Sequence, residues 1–244
     1  MRSSGLSLDQ APPEDIPFRF FVTAPVFGFL ASSLILFRDV LLFNSSWHFE
    51  TIVLTHLITL GWVIMVMMGT LDQMVPVLVG WQVTLIAISR IVHAFLIIVI
   101  VAFAGGLIQI SPLFFQAAIV VLLISFTVFL TQLLTALFLV KANRPDVVAM
   151  RISLISLALA VSLGVLEVGT FTGLRPSVID HTILKSLYAT LALTGAVGVL
   201  IVGVVFHVIP MFYLATLFLL SLHRIRSPRS SYQIARSEIS FHRS

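Results

Sequence analysis

Apolar residues run along the chain in six long blocks, approximately Phe20–Phe37, Thr51–Val79, Val83–Ile108, Leu113–Val140, Ile152–Thr172 and Leu184–Leu220. Each block is apolar all round instead of alternating in polarity, which excludes the roughly ten-residue dyad pattern of membrane barrel strands. A helix needs about 20 apolar residues to cross roughly 30 Å of hydrocarbon, so the pattern predicts an all-α integral membrane protein, a six-transmembrane-helix bundle. Helix breakers mark the connections: Asn44, Gly80, Gly105-Gly106 with Pro112, Asn143 with Pro145, and Gly173 with Pro176. The last block is 37 residues long. Pro210 interrupts its hydrogen-bond ladder, so Leu184–Ile209 is read as the span and Met211–Leu222 as a kinked or interfacial continuation.

Composition agrees. The chain has 244 residues, 59% apolar and 10% charged, with a mean hydropathy of +1.13. A soluble domain is nearer 45–50% apolar and about 25% charged. There is no cysteine, which excludes iron–sulfur clusters, thiolate-bound haem or zinc and cysteine nucleophiles. The pI near 10.1 does not signal nucleic acid, because most basic residues flank the apolar blocks. Residues 1–19 read as a cytoplasmic N-terminal segment, 20–222 as the membrane domain and 223–244 as a basic Ser/Arg-rich tail, either solvated or a non-native ending. Asp9, Glu14 and Asp15 precede the first block and no small-residue cleavage pattern follows it, so it does not read as a secretory signal.

Basic residues set orientation. With six spans, one side holds 11 of them: Arg2, Arg19, Arg90, Lys141, Arg144, Arg151 and five tail arginines. The other holds 3, Arg38, Arg175 and Lys185. This predicts both termini in the cytoplasm.

A weak internal repeat lies at an offset of 134: His56–Pro76 aligns with Thr190–Pro210, with five of 21 positions identical. The identities include Gly61/Gly195, Gly69/Gly203 and Pro76/Pro210. Glycine lets membrane helices approach closely. Gln73 and His207 each lie four residues after a glycine, hence on its face, and both are expected to point into the bundle.

Ionisable groups inside spans are costly and mark candidate functional sites. Here they are His56, Asp72, Arg90, His93, Glu167 and His207. His56 falls in the outer part of its span, level with His48, Glu167 and His181. Imidazole suits haem iron, copper or zinc, and His56 and His207 are the candidate metal ligands; the plainer alternative for each is a hydrogen bond to a backbone carbonyl. Gln82, Arg90 and His93 form a stripe on the third span. Arg90 either snorkels to headgroups, pairs with Asp72, or clamps an anionic group. Trp47 and Trp81 sit at span ends, where interfacial tryptophans belong.

The runs His56-xxxx-Gly61-Trp62, Gly69-Thr-Leu-Asp72-Gln73-Met-Val-Pro76 and Gly203-Val-Val-Phe-His207-Val-Ile-Pro210 resemble small bacterial membrane proteins related to subunit I of the haem–copper oxidases and nitric-oxide reductases. The resemblance covers 50–60 residues, mainly the second and sixth spans. It implies a bacterial inner-membrane protein in which His56, within a motif that includes Gly61, ligates haem b. His181, His93 or another subunit would supply the opposite ligand, and Arg90 is a candidate propionate clamp. The function implied is respiratory or denitrification electron transfer, or gas sensing, as a homodimer or with respiratory-complex subunits. Six spans cannot supply a three-histidine copper site, and no His-x-His or His-His pair occurs, so complete oxygen or nitric-oxide reduction by this chain alone is not expected. Two other readings stand beside this one. One is a cofactor-free assembly module. The other is a small transporter with Asp72, His93 and His207 as its polar path, for which the repeat, running the same way in both copies, is not the inverted kind.

Overall fold

The computed structural model describes residues 11–38, 40–43, 45–79, 86–108, 112–139, 144–171, 179–209 and 212–213. Trp81, Gln82, Pro210 and the 223–244 tail, for which the sequence raises expectations, lie outside these residues. Among the described residues there are six helices long and apolar enough to cross a membrane. They are α1 (Asp15–Phe37), α2 (residues 49–79), α3 (Ile86–Ile108), α4 (Pro112–Leu139), α5 (Pro145–Phe171) and α6 (His181–Ile209). The chain is a multi-pass membrane protein. In lipid every backbone polar group must be satisfied within its own segment, and the described backbone, apart from short connections and one 3-10 turn at Val40–Phe43, is helical.

Helix starts follow local chemistry. Pro112 and Pro145 occupy first positions, where a missing N–H costs nothing. Asp15 and Asp146 sit in first turns, facing the positive end of the helix dipole. These polar starts carry α1 and α5 beyond the apolar blocks, so α1 begins at Asp15 instead of Phe20 and α5 at Pro145 instead of Ile152. Hydroxyls inside spans bond back to the carbonyl one turn earlier, as Ser32 Oγ does to Gly28 O (2.9 Å) and Thr70 Oγ1 to Val66 O (2.9 Å), which satisfies them within their own helix.

Two helices depart from α geometry at equivalent places. A π-helical stretch covers Leu57–Ile64 in α2 and Leu191–Gly198 in α6, and the two coincide residue for residue at the offset of 134. The repeat also extends to the preceding helices. A Cβ on Gly61 would lie 2.6 Å from Phe27 of α1, and one on Gly195 2.8 Å from Ser156 of α5. One on Gly69 would lie 2.8 Å from Phe20, and one on Gly203 2.8 Å from Ala149. Phe27 to Ser156 and Phe20 to Ala149 are both steps of 129. The repeating unit is therefore a helical hairpin, α1–α2 and again α5–α6. The chain between the matched contacts is five residues longer in the second copy, the difference between the two offsets. The copies run the same way, as parallel repeats do. Helices α3 and α4 pack against each other between the hairpins, α3 against α2 and α4 against α5.

The glycine contacts leave no room for side chains. Gly61→Leu and Gly203→Leu are expected to destabilise the detergent-solubilised protein by about 1–3 kcal/mol each, as overpacking does. A Cβ on Gly105 would meet nothing within 4 Å, so Gly105→Ala should raise stability by up to about 1 kcal/mol through helix propensity. Thermal unfolding of the three variants checks both signs.

Candidate functional site

At the end of the bundle away from the start of α1, helices α2 to α6 surround a cavity of about 390 Å³. Its walls are mostly aliphatic and aromatic: Leu60 and Ile64 of α2, Phe103 of α3, Phe115 and Phe126 of α4, Val168 of α5, Val197 of α6. The few polar groups sit toward one side and the mouth. They are the Thr51/Thr55/Thr59 row, His56, Glu167, Lys185, Tyr188 and Ser46.

His56 lies at the boundary between the α and π segments of α2. Its Nδ1 is 2.7 Å from Ile52 O. A carbonyl oxygen only accepts, so Nδ1 carries the proton, and in the neutral ring Nε2 keeps its lone pair. The imidazole packs on Phe103 with centroids 4.3 Å apart, and Phe103 stacks in turn on Phe115 at 5.1 Å. A carbonyl-bonded Nδ1–H is the usual support for a histidine that ligates through Nε2. The hydrogen bond expected as the plain alternative to a ligand role is thus also the arrangement a ligand needs.

A chain of contacts straps the cavity mouth. Lys185 Nζ donates to Ser46 Oγ (2.6 Å) and lies 4.3 Å from the Trp47 ring centroid. Trp47 meets His181 edge-on at 6.2 Å, and His181 Nδ1 is 2.9 Å from Glu167 Oε1. Lys185 and His181 belong to the second hairpin and Ser46 and Trp47 to the first, so the strap joins the repeats. Asp180 caps α6, accepting from Thr182 N (2.7 Å) and Ile183 N (3.3 Å). Those backbone donors, Thr182 first, hold its carboxyl below the usual carboxylate range.

The other candidates lie elsewhere. His93 Nε2 is 2.9 Å from Thr23 Oγ1 on α1. The Thr23 hydroxyl already donates to Arg19 O (2.8 Å), so His93 is the donor. Arg90 does not meet Asp72. It pairs with Asp15 at 2.8 Å, and Arg19 shares the same carboxylate at 3.3 Å. The reason is that α1 starts early enough to put Asp15 within reach. His207 points inward, as expected, with Nδ1 3.2 Å from Asp146, which also takes Arg144 at 2.7 Å and the Val147 amide at 2.9 Å. Gln73, expected to match it, is exposed. The residue of α1 that stands where Asp146 stands in α5 is Pro17, whose side chain offers nothing to bond. Gly61 faces Phe27 and does not line the cavity. Asp72 and Ser89 are buried near each other, and among the described residues no hydrogen bond of ordinary geometry reaches either carboxylate oxygen or the hydroxyl.

The structure therefore brings His56 and Glu167 to one cavity, with His181 on Glu167 at its rim. His93, His207 and Arg90 stand at the opposite end, so His56 and His207 do not share a metal site. Among the described residues no group of three His, Asp or Glu side chains could hold a metal ion. Sequence reading missed Lys185, counted only among the three basic residues of the outer side, and the aromatic wall. The threonines at 51, 55 and 59, one turn apart, were the signal for the cavity face of α2. Comparison of the chain with protein-family models, with curated proteins and with solved structures gives no match.

The cap on α6 has a definite pH sign. Its carboxyl is lowered in the fold, so its contribution is complete above the ordinary carboxylate value of about 3.9 and is lost as pH falls through the lowered one. Hydrogen exchange at Thr182 and Ile183 should be slow at pH 7 and fast in Asp180→Ala, with the difference between the two proteins vanishing in strong acid.

Proposed function

We propose that this chain is a membrane haem-binding protein, with His56 as the iron ligand through Nε2, serving respiratory or denitrification electron transfer or gas sensing. The observation that carries the reading is His56 itself: an imidazole whose Nδ1 is tied to Ile52 O, on the wall of an apolar cavity between five helices. The residues suit the group. The volume falls in the range of about 300–1,000 Å³ typical of ligand sites. Aromatic and aliphatic walls suit a macrocycle, and Lys185 at the mouth offers a cation for a propionate. Haem, when bound, supplies a one-electron couple and a position for a diatomic gas.

In this reading the chain's own residues divide the work. Ile52 O fixes the tautomer and aim of His56. Phe103 limits tilting of the ring. The side chains around the cavity keep water from the ligand nitrogen, and Lys185 orients the anionic edge toward the mouth. His181 Nδ1 is held by Glu167 much as His56 Nδ1 is held by Ile52 O, an arrangement that also leaves Nε2 for a ligand role, so His181 or a respiratory-complex subunit would supply a second iron ligand in the electron-transfer reading. Arg19, Arg90, Arg144 and Arg151 gather at the end of the bundle where α1 starts. By the positive-inside rule this favours that end in the cytoplasm, and the bacterial inner membrane is the placement that the resemblance implies.

The protein purified from haem-replete cells should show a Soret band that shifts on reduction. His56→Ala should abolish it, Lys185→Ala should weaken haem retention, and His93→Ala and His207→Ala should leave the spectrum unchanged. A colourless wild type, or a spectrum indifferent to His56, would overturn the proposal.

A further inference from the structure

Toward the end of the bundle where α1 starts, two buried carboxyl groups meet opposite surroundings. Asp146 of α5 is 3% exposed and fully answered, by Arg144 at 2.7 Å, the Val147 amide at 2.9 Å and His207 at 3.2 Å. Asp72 of α2 is 0% exposed, and among the described residues no hydrogen bond of ordinary geometry or ion pair answers it. Met68 and Val75, one turn away on the same helix face, are apolar and completely buried. The Ser89 hydroxyl of α3 lies near it, buried and equally unanswered.

Among the described residues no cation is left to pair with Asp72. The half of α2 that carries it packs on α1 and α4, and Ser89 brings in α3. Helix α4 contains no ionisable residue. Asp15 and Arg19 of α1 and Arg90 of α3 are bound to one another, and His93 of α3 donates to Thr23. An ionised carboxylate in apolar surroundings is very costly without a partner, and such a group escapes the cost by taking up a proton. A hard metal cation suits the place less well. Calcium takes about six to eight oxygens, whereas the orphaned atoms here are Asp72 Oδ1 and Oδ2 and Ser89 Oγ. A proton needs only one oxygen.

We propose that Asp72 is a proton-binding site inside the membrane, a neutral acid in this packed state that gives up its proton only when α2 and α3 part and admit water. In that step the O–H bond breaks, its electron pair stays on the carboxylate and the proton passes to the entering water. Loading of the site is thereby coupled to the packing of α2 on α3, and Ser89 is the nearby hydroxyl that can donate to the carboxylate once it forms. The site does not continue into a polar path, since His93 turns to α1 and His207 to Asp146. The proposal is independent of whether haem is bound.

Infrared spectroscopy of the whole protein in lipid bilayers at neutral pH tests it. The spectrum should contain the C=O stretch of a protonated carboxyl, shifted by carbon-13 labelling of aspartate and lost in Asp72→Asn, the uncharged isostere. Exchanging potassium for sodium at fixed pH should leave the band in place. If Asp72→Asn does not fold, Asp72→Glu keeps the acid and should make the band insensitive to the aspartate label. Three results would each overturn the proposal: no acid band from aspartate, an aspartate band that survives at Asp72→Asn or Asp72→Glu, or a band that sodium removes, which would make this a metal-cation site.

Discussion

The closeness of two backbones within each hairpin is the constraint on which the rest of this structure depends. Inside a bilayer, helices gain little from hiding apolar surface from one another, and they hold together through van der Waals contact and a few hydrogen bonds. Gly61 against Phe27, Gly69 against Phe20, Gly195 against Ser156 and Gly203 against Ala149 supply that contact at distances no side chain would allow. Ser153 Oγ donating to Ala196 O (2.6 Å) adds a buried hydrogen bond to the second hairpin. Both π stretches contain a glycine contact, so the departure from α geometry and the close approach occur together. π stretches are uncommon and often mark functional sites. Here the first one starts directly after His56.

That placement links fold to chemistry. The hairpins are similar, but only the first carries a histidine before its π stretch, because Thr190 stands at the equivalent position. Only the first has α3 beside it, whose Phe103 fixes the histidine ring. The cavity forms where the repeats face each other with α3 and α4 between them, and Lys185 closes its mouth by reaching Ser46. Of the two similar hairpins, one thus places a histidine on the cavity wall and the other contributes a wall and a strap. At the other end, ion pairs around Asp15 and Asp146 tie helix starts to their neighbours. Those at Asp15 are exposed enough to contribute little stability.

Six spans were legible because hydropathy over about 20 residues is a strong signal and lipid permits little but helix. Helix ends were not, since Asp15 and Pro145 are polar or helix-breaking in the abstract and good first-turn residues in context. The second-helix repeat was visible through two glycines and a proline. Its extension to α1 and α5 was hidden, because a phenylalanine in one copy corresponds to a serine or an alanine in the other and only the backbone spacing is kept. His56 could be picked out as an isolated imidazole in apolar text. Gln73 was placed on the wrong side because the face of a residue was inferred from its own helix, whereas its burial depends on what the neighbouring helix offers. Asp146 offers a carboxylate to His207, and Pro17 offers Gln73 nothing. The pairing of Arg90 with Asp15 in place of Asp72 was hidden for a related reason, its partner lying outside the apolar block.

The haem proposal requires that His56 present an unprotonated Nε2 to the cavity between the helices. Nitrogen-15 NMR of ring-labelled histidine in lipid bilayers, with His56 assigned by its alanine variant, reads this directly. The account predicts a protonated Nδ1 and a bare Nε2 at neutral pH, with the Nε2 resonance displaced or broadened away when haemin is added. A protonated Nε2, or one that haemin leaves untouched, would contradict it.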